Sequence, residues 1–162
     1  MVTTIRPYVA DDWQAADLVY YRAIREGTGD IYSEAQRIAW APDPILGDDT
    51  PDKLLDQWCW VAEAEGRMTG FMSLCPDGLL DMAFVIPEAR GDGTAATLYD
   101  TLIAKARAET LPRLTVIASP FSHRFLLKRG WQVDSDGPEV HDGQTYHLYH
   151  MSLDLRLHPS HR

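Results

Sequence analysis

The spacing of apolar residues changes period several times along the chain, and each change marks an element. Val2 to Tyr8 reads as a first strand. After Asp11 and Asp12, either of which can cap a helix, Trp13, Ala16, Val19, Tyr20, Ala23 and Ile24 recur at helical spacing. Glu26-Gly27-Thr28-Gly29-Asp30 breaks that helix. Ser33-Glu34-Ala35-Gln36 is a capping-box pattern and predicts a short helix to Trp40. Ala41-Pro42-Asp43-Pro44 ends it, because a residue before proline avoids the α region. A polar stretch from Gly47 to Gln57 leads to a strand over Trp58–Ala64, and Glu65-Gly66-Arg67 turns it into a second over Met68–Leu74. Cys75-Pro76-Asp77-Gly78 turns again into a strand from Leu79 to Ile86. Ala95, Leu98, Leu102, Ile103, Ala106 and Ala108 mark a long helix, followed by a strand over Arg113–Ala118 and a helix over Phe121–Arg129. Two strands, Trp131–Ser135 and Tyr146–Leu153, close the pattern.

The junction between the Leu79–Ile86 strand and the long helix carries the most chemistry. Pro87 cannot donate to a sheet ladder and ends the strand. Glu88-Ala89-Arg90-Gly91-Asp92-Gly93-Thr94-Ala95 then forms a glycine-spaced loop that opens the helix. Such a junction aims backbone N–H groups and the positive end of a helix dipole at an anion. A dinucleotide fingerprint needs a third glycine, where this chain has Ala96, and a P-loop needs Lys-Ser or Lys-Thr after its last glycine, where it has Thr94-Ala95. The plain alternative is a strand-to-helix turn that uses glycine for its conformation alone.

Composition narrows the partners. A chain of 162 residues fits one domain, and folding would bury roughly 70% of its unfolded surface. The formal net charge of −9 argues against a nucleic-acid partner, which needs a basic face, and is compatible with a cationic acceptor. No apolar run is long enough to cross a bilayer, so no membrane partner is expected. The Met1–Arg6 start lacks the basic and apolar regions of a signal peptide, and Cys59 and Cys75 form no disulfide framework, so a cytoplasmic location is expected. Of the six histidines, His141, His147, His150, His158 and His161 fall late, without the spacing of a zinc site. No metal is expected.

The order Arg90-x-x-Gly93-x-Ala95 resembles the acyl-CoA pyrophosphate loop of the GNAT N-acetyltransferase superfamily. Phe125-Leu126-Leu127-Lys128-Arg129-Gly130-Trp131 resembles its late F-Y-x-x-x-G-F element, and the segment from Tyr32 to Pro42 resembles an acceptor-site segment of a bacterial subgroup. The element order β-α-α-β-β-β-α-β-α-β-β is also that of the family. The resemblance implies an α/β (α+β) fold with a mixed, mostly antiparallel sheet of six to seven strands flanked by helices. It implies one domain over residues 1–155 with a polar tail at 156–162. The activity it implies is transfer of an acetyl group from acetyl-CoA, as cosubstrate, directly to a primary amine of a small molecule or peptide. It points to a homodimer.

Roles follow from the same resemblance, residue by residue. The amides of Gly91, Asp92, Gly93, Thr94 and Ala95 would face the pyrophosphate, with Arg90 adding its guanidinium or acting through its main chain. Asp92, an anion beside an anion, would point outward or weaken affinity. The strand would splay from its neighbour, with the N–H of Phe84 or Val85 polarising the thioester carbonyl, and Phe125 would join the cofactor site. Alternation along the strand puts Asp81 on a face with Leu79, Ala83 and Val85, as a general base or as a structural carboxylate. Where the family has a proton-donating tyrosine, this chain has Leu126, which leaves Ser122, His123, Tyr146 and Tyr149 as candidate acids. Tyr20, Tyr21, Tyr32, Trp40 and Trp58 form an aromatic group, of which Tyr21, Tyr32 and Trp40 line an acceptor pocket or pack in the core, with Glu26 and Asp30 as amine anchors.

Overall fold

Alternation of core-facing residues organises the computed structural model, which describes residues 2–44 and 52–157. The first part of the polar stretch (47–51), together with His158 and His161, lies outside the described residues. The strands are β1 (Thr3–Pro7), β2 (Trp58–Ala64), β3 (Arg67–Leu74), β4 (Leu79–Val85), β5 (Arg113–Ala118), β6 (Gln132–His141) and β7 (Gln144–Asp154). They form one sheet in the order β1-β2-β3-β4-β5-β7-β6. Every pairing is antiparallel except β4 with β5. The flanking helices are α1 (Trp13–Arg25), α2 (Glu34–Trp40), α3 (Thr94–Ala108) and α4 (Pro120–Leu127).

Successive residues of a strand face opposite sides, so each strand feeds two cores. Val61 and Phe71 pack with Ala16 and Val19 of α1, while their neighbours Ala62 and Met72 pack with Leu98 and Leu102 of α3 and Leu126 of α4. Leu98 and Leu102 are fully buried, a burial that stabilises the fold by roughly 1.5–3 kcal/mol per side chain. A third cluster holds α2 to β7 through Tyr32, Tyr146 and Leu148.

The predicted capping box of α2 is formed: Gln36 N donates to Ser33 Oγ at 3.1 Å, and Ser33 N to Gln36 Oε1 at 2.8 Å. Strand β6 runs six residues beyond the predicted Ser135, to His141, and turns through Asp142-Gly143 into β7. It lies at the sheet edge, where Pro138 removes no ladder bond that the fold needs.

One irregularity shapes the site. Register between β3 and β4 shifts so that Ser73 opposes Met82 but Leu74 opposes Leu80, leaving Asp81 without an opposing residue. A bulge of this kind re-aims side chains and increases the local twist. Leu80 and Ala83 consequently pack with the same α3-side core although three positions separate them. The simple alternation that grouped Asp81 with Leu79, Ala83 and Val85 therefore breaks at Asp81 itself.

Candidate active site

Strands β4 and β5 pair only at Leu79–Thr115 and Leu80–Val116, and then part. Beyond that point β4 stays on β3 and β5 stays on β7, so a wedge opens between them. Ile86 N donates to Thr69 O at 2.9 Å, which fixes which edge of β4 each residue addresses. By antiparallel alternation Phe84 then bonds toward β3, while the N–H and C=O of Ala83 and Val85 turn to the wedge. Of the two amides singled out on this strand, Phe84 and Val85, it is that of Val85 that faces the wedge.

A cavity of about 450 Å³ fills the wedge. Its lining is mainly apolar and draws on β4, the glycine loop, α3, β5 and α4, with Ala23, Ile24, Thr28 and Trp40 contributed from the α1–α2 side. Of the residues singled out in the sequence, it brings together Trp40, Asp81, Phe84, Val85, Arg90, Gly91, Gly93, Ala95, Ser122 and Phe125. Asp81 and Arg90 are the two charged residues of that lining.

The glycine loop is held open by its own conformation. Gly91 and Gly93 have φ of 80° and 90°, values that a side chain resists, and a Cβ on either would meet no atom within 4 Å. Glycine is therefore required here for the turn, and the space beside the backbone stays clear. Helix α3 starts at Thr94, and its first amides have no intrahelical acceptor. Asp92 takes one of them, accepting from Thr94 N at 3.0 Å and from Thr94 Oγ1 at 2.6 Å. Those hydrogen bonds hold its carboxyl below the usual carboxylate range. Neither Asp92 nor the buried Thr94 is part of the cavity wall, which leaves Ala95 and Ala96 as the open end of the helix.

Arg90 turns away from the open side of the loop. Its Nη1 donates to Gly27 O at 2.5 Å and its Nη2 to Ala23 O at 3.4 Å, and its guanidinium carbon lies 4.7 Å from the centre of the Phe121 ring. Burial lowers the guanidinium pKa from its ordinary value, and the charge is set against the carbonyls at the end of α1. The approach depends on glycine, since a Cβ on Gly27 would stand 2.3 Å from Nη2. The Gly27 break in the sequence is thus half of a contact whose other half lies 63 positions on.

Asp81 is engaged by its neighbours. Lys53 Nζ is 3.0 Å from Oδ2, and Gln57 Nε2 donates to the same oxygen at 2.9 Å. Gln57 Oε1 is buried and has no donor among the described residues. Lys53 and Gln57 come from the polar stretch, where no periodicity marked them.

The remaining candidates separate. Ser122 lines the cavity, 3.3 Å from the hydroxyl of Ser119, which caps α4 by accepting from Ser122 N. His123 instead stacks on Tyr149, with ring centres 3.8 Å apart and planes 2° from parallel, outside the lining. Trp40 lines the cavity with Tyr32 and Tyr146 edge-on against it at 5.5 and 5.6 Å. Tyr32 is buried, its hydroxyl has no partner among the described residues, and burial followed by the proximity of Tyr146 pushes the phenol up to about 12. Tyr146 donates to Gln36 O at 2.7 Å. Tyr21, Glu26 and Asp30 lie outside the lining: Tyr21 faces Arg25 at 5.0 Å, Glu26 pairs with Arg22 at 3.1 Å, and Asp30 is exposed. Among the described residues no group of His, Cys, Asp and Glu is arranged to hold a metal ion, and no helix is long and apolar enough to cross a membrane.

The site is a parted strand pair opening onto a glycine loop and a helix N-terminus, and comparison with known proteins gives the class. A family model described as an acetyltransferase (GNAT) domain matches residues 50–154, and the chain belongs to that family. A GCN5-related N-acetyltransferase from Rhodopseudomonas palustris shares 30% identity over 96% of this chain and 99% of its own, with a TM-score of 0.84. Two more distant structures share the fold. PaiA N-acetyltransferase from Thermoplasma acidophilum, in complex with coenzyme A, is 17% identical over 95% of this chain and 99% of its own, with a TM-score of 0.78. YncA from Salmonella typhimurium, with its cofactor acetyl-CoA, is 22% identical over 100% and 97%, with a TM-score of 0.68. Among curated protein sequences, none matches the chain.

Proposed function

We propose that this chain is an N-acetyltransferase that moves the acetyl group of acetyl-CoA directly to a primary amine. The observation that carries the reading is the parting of β4 from β5 after Leu80–Val116, with the cavity between them ending on the Gly91–Ala96 loop. Pantetheine fits the wedge because its amides can pair with the backbone groups that Ala83 and Val85 turn outward. The pyrophosphate then reaches Gly91, Gly93, Ala95 and Ala96, where free amides and the α3 dipole favour an anion. Asp92 acts as a cap of the loop, and Arg90 as its tie to α1.

Val85 N–H is placed to polarise the thioester carbonyl and to receive the developing oxyanion, a role worth about 3–4 kcal/mol per donor in comparable sites. The acceptor enters from the side of Trp40 and Asp81. Asp81 is the candidate base, in competition with its pairing to Lys53. A small-molecule amine or a peptide N-terminus both satisfy this chemistry.

Leu126 favours a second reading. It is buried at 3% exposure on the cavity wall, where the family pattern puts a proton donor, and a protein that only senses acyl-CoA needs none. Thiol release from acetyl-CoA in the presence of primary amines separates the two. Turnover supports the transferase, and tight binding without turnover supports the sensor. Running propionyl-CoA and succinyl-CoA alongside tests whether the apolar lining prefers a longer acyl group.

A further inference from the structure

The residue that replaces the missing proton donor is on a different helix. We infer that Tyr99, on α3, is the general acid that protonates the departing CoA sulfur. This rests on the acetyltransferase reading. Tyr99 lines the cavity with Leu126 and Phe125, and only 6% of it is exposed. Trp131 Nε1 donates to its hydroxyl oxygen at 2.9 Å. An indole N–H donates and cannot accept, so this bond fixes the phenol oxygen without using its proton. Among the described residues no acceptor takes the phenol proton, so Tyr99, a residue of the cavity wall, keeps it for donation.

The other hydroxyls and rings are worse placed. Tyr146 gives its proton to Gln36 O, and His123 and Tyr149 are stacked on each other outside the lining. Ser122 reaches the cavity, but an aliphatic hydroxyl is a far weaker acid than a phenol. The surroundings of Tyr99 keep the phenol protonated until a proton is called for. Burial raises its pKa, while the Trp131 N–H and the nearby Arg129 oppose that rise. The Arg129 guanidinium carbon is 5.4 Å from the centre of the Tyr99 ring, and is held there by its 3.6 Å stacking on Phe125.

The step balances. The amine nitrogen bonds to the thioester carbon, and the tetrahedral adduct collapses as the C–S bond breaks with its electron pair on sulfur. Tyr99 passes its proton to that sulfur, giving the CoA thiol, and the amine nitrogen gives its extra proton to Asp81, the candidate base, and through it to solvent. Solvent returns a proton to the tyrosinate. One amine and one acetyl-CoA become one amide and one CoA thiol.

The test measures thiol release from acetyl-CoA with putrescine, phenethylamine and L-lysine as probe amines, and acetyl-CoA affinity by calorimetry. Slow hydrolysis of acetyl-CoA expels the same thiolate and supplies the comparison where no probe amine is accepted. Tyr99→Phe is expected to lower kcat by about 100-fold, the low end for a lost general acid, with unchanged acetyl-CoA affinity. Trp131→Phe keeps the phenol and loses one hydrogen bond to it, so kcat falls by about tenfold at most. Parental kcat in Tyr99→Phe, or equal losses in both variants, overturns the role and makes the pair structural. A parent that neither binds acetyl-CoA nor releases thiol overturns the transferase reading itself, and the assignment of Tyr99 with it.

Discussion

The two sides of the cavity are built from different materials. The side formed by β4, the glycine loop and the start of α3 presents backbone: parted strands, two glycines at positive φ and helix amides without acceptors. The side formed by the α1–α2 region presents side chains, with Trp40 backed edge-on by Tyr32 and Tyr146. In the proposed function the backbone would recognise what every acyl-CoA shares, namely amides and a pyrophosphate, and the side chains what differs between acceptors. Arg90 ties the two sides together by bonding the loop to the end of α1.

Breaking the backbone side should have the largest effect. Gly93→Val forces a β-branched residue into φ 90° and puts a side chain where the phosphates would lie. Strain of about 1–3 kcal/mol together with lost charged hydrogen bonds should weaken acetyl-CoA binding at least about 100-fold, read by calorimetry. Because a Cβ there meets no protein atom within 4 Å, the cores should be untouched and the fold retained, checked by circular dichroism.

Asp81→Asn addresses the seam between the sides. As a base, Asp81 contributes about 100-fold to turnover at neutral pH, with acetyl-CoA affinity unchanged. A rate–pH profile that overlays the parent would instead leave Asp81 as the partner of Lys53 and Gln57.

Trp40→Ala sharpens the contrast from the other direction. Losing an aromatic wall should raise the acceptor KM by about tenfold or more, since burying an aromatic ring is worth 1.5 kcal/mol or more. The acetyl-CoA dissociation constant should stay near that of the parent. A parallel loss of cofactor affinity would show that the two sides are not separable.

The smallest expected effect lies on the β6–β7 hairpin. His150 Nε2 is 2.7 Å from Glu139 Oε2, and this hydrogen bond holds the Glu139 carboxyl below its ordinary value of 4.5. A depressed carboxylate stabilises the fold above its unfolded pKa, and that contribution fades as pH falls below about 4.5. The pair is solvent-facing and screened, so its worth is below about 1 kcal/mol. Melting temperatures of the parent and Glu139→Gln should differ slightly at pH 7 and converge toward pH 3.

The same division explains what could be read from the residues alone. The elements follow from period, Pro87 and the capping box at Ser33, all local signals. The glycine loop is equally local, because its conformation is written in Gly91 and Gly93 themselves. By contrast, the bulge at Asp81 arises from how β3 pairs with β4, and no single strand encodes it. The Arg90–Gly27 bond, the Lys53–Asp81 pair and the Trp131–Tyr99 bond each join residues far apart in sequence. Extension of β6 to His141 was hidden by its polar composition, although Asp142-Gly143, with φ of 50° and 77°, is a strong hairpin signal. Tyr21, Glu26 and Asp30 sit near Gly27 and Gly29 in sequence, yet that proximity did not bring them to the cavity.

Calorimetric titration of the purified protein with acetyl-CoA, and separately with NADH, tests the central claim most directly. Saturable, micromolar binding of acetyl-CoA alone is the expected result, and it would assign the wedge and the Gly91–Ala96 loop to the cofactor. Absence of acetyl-CoA binding, or equal binding of NADH, would contradict the account and reduce the loop to a strand-to-helix turn.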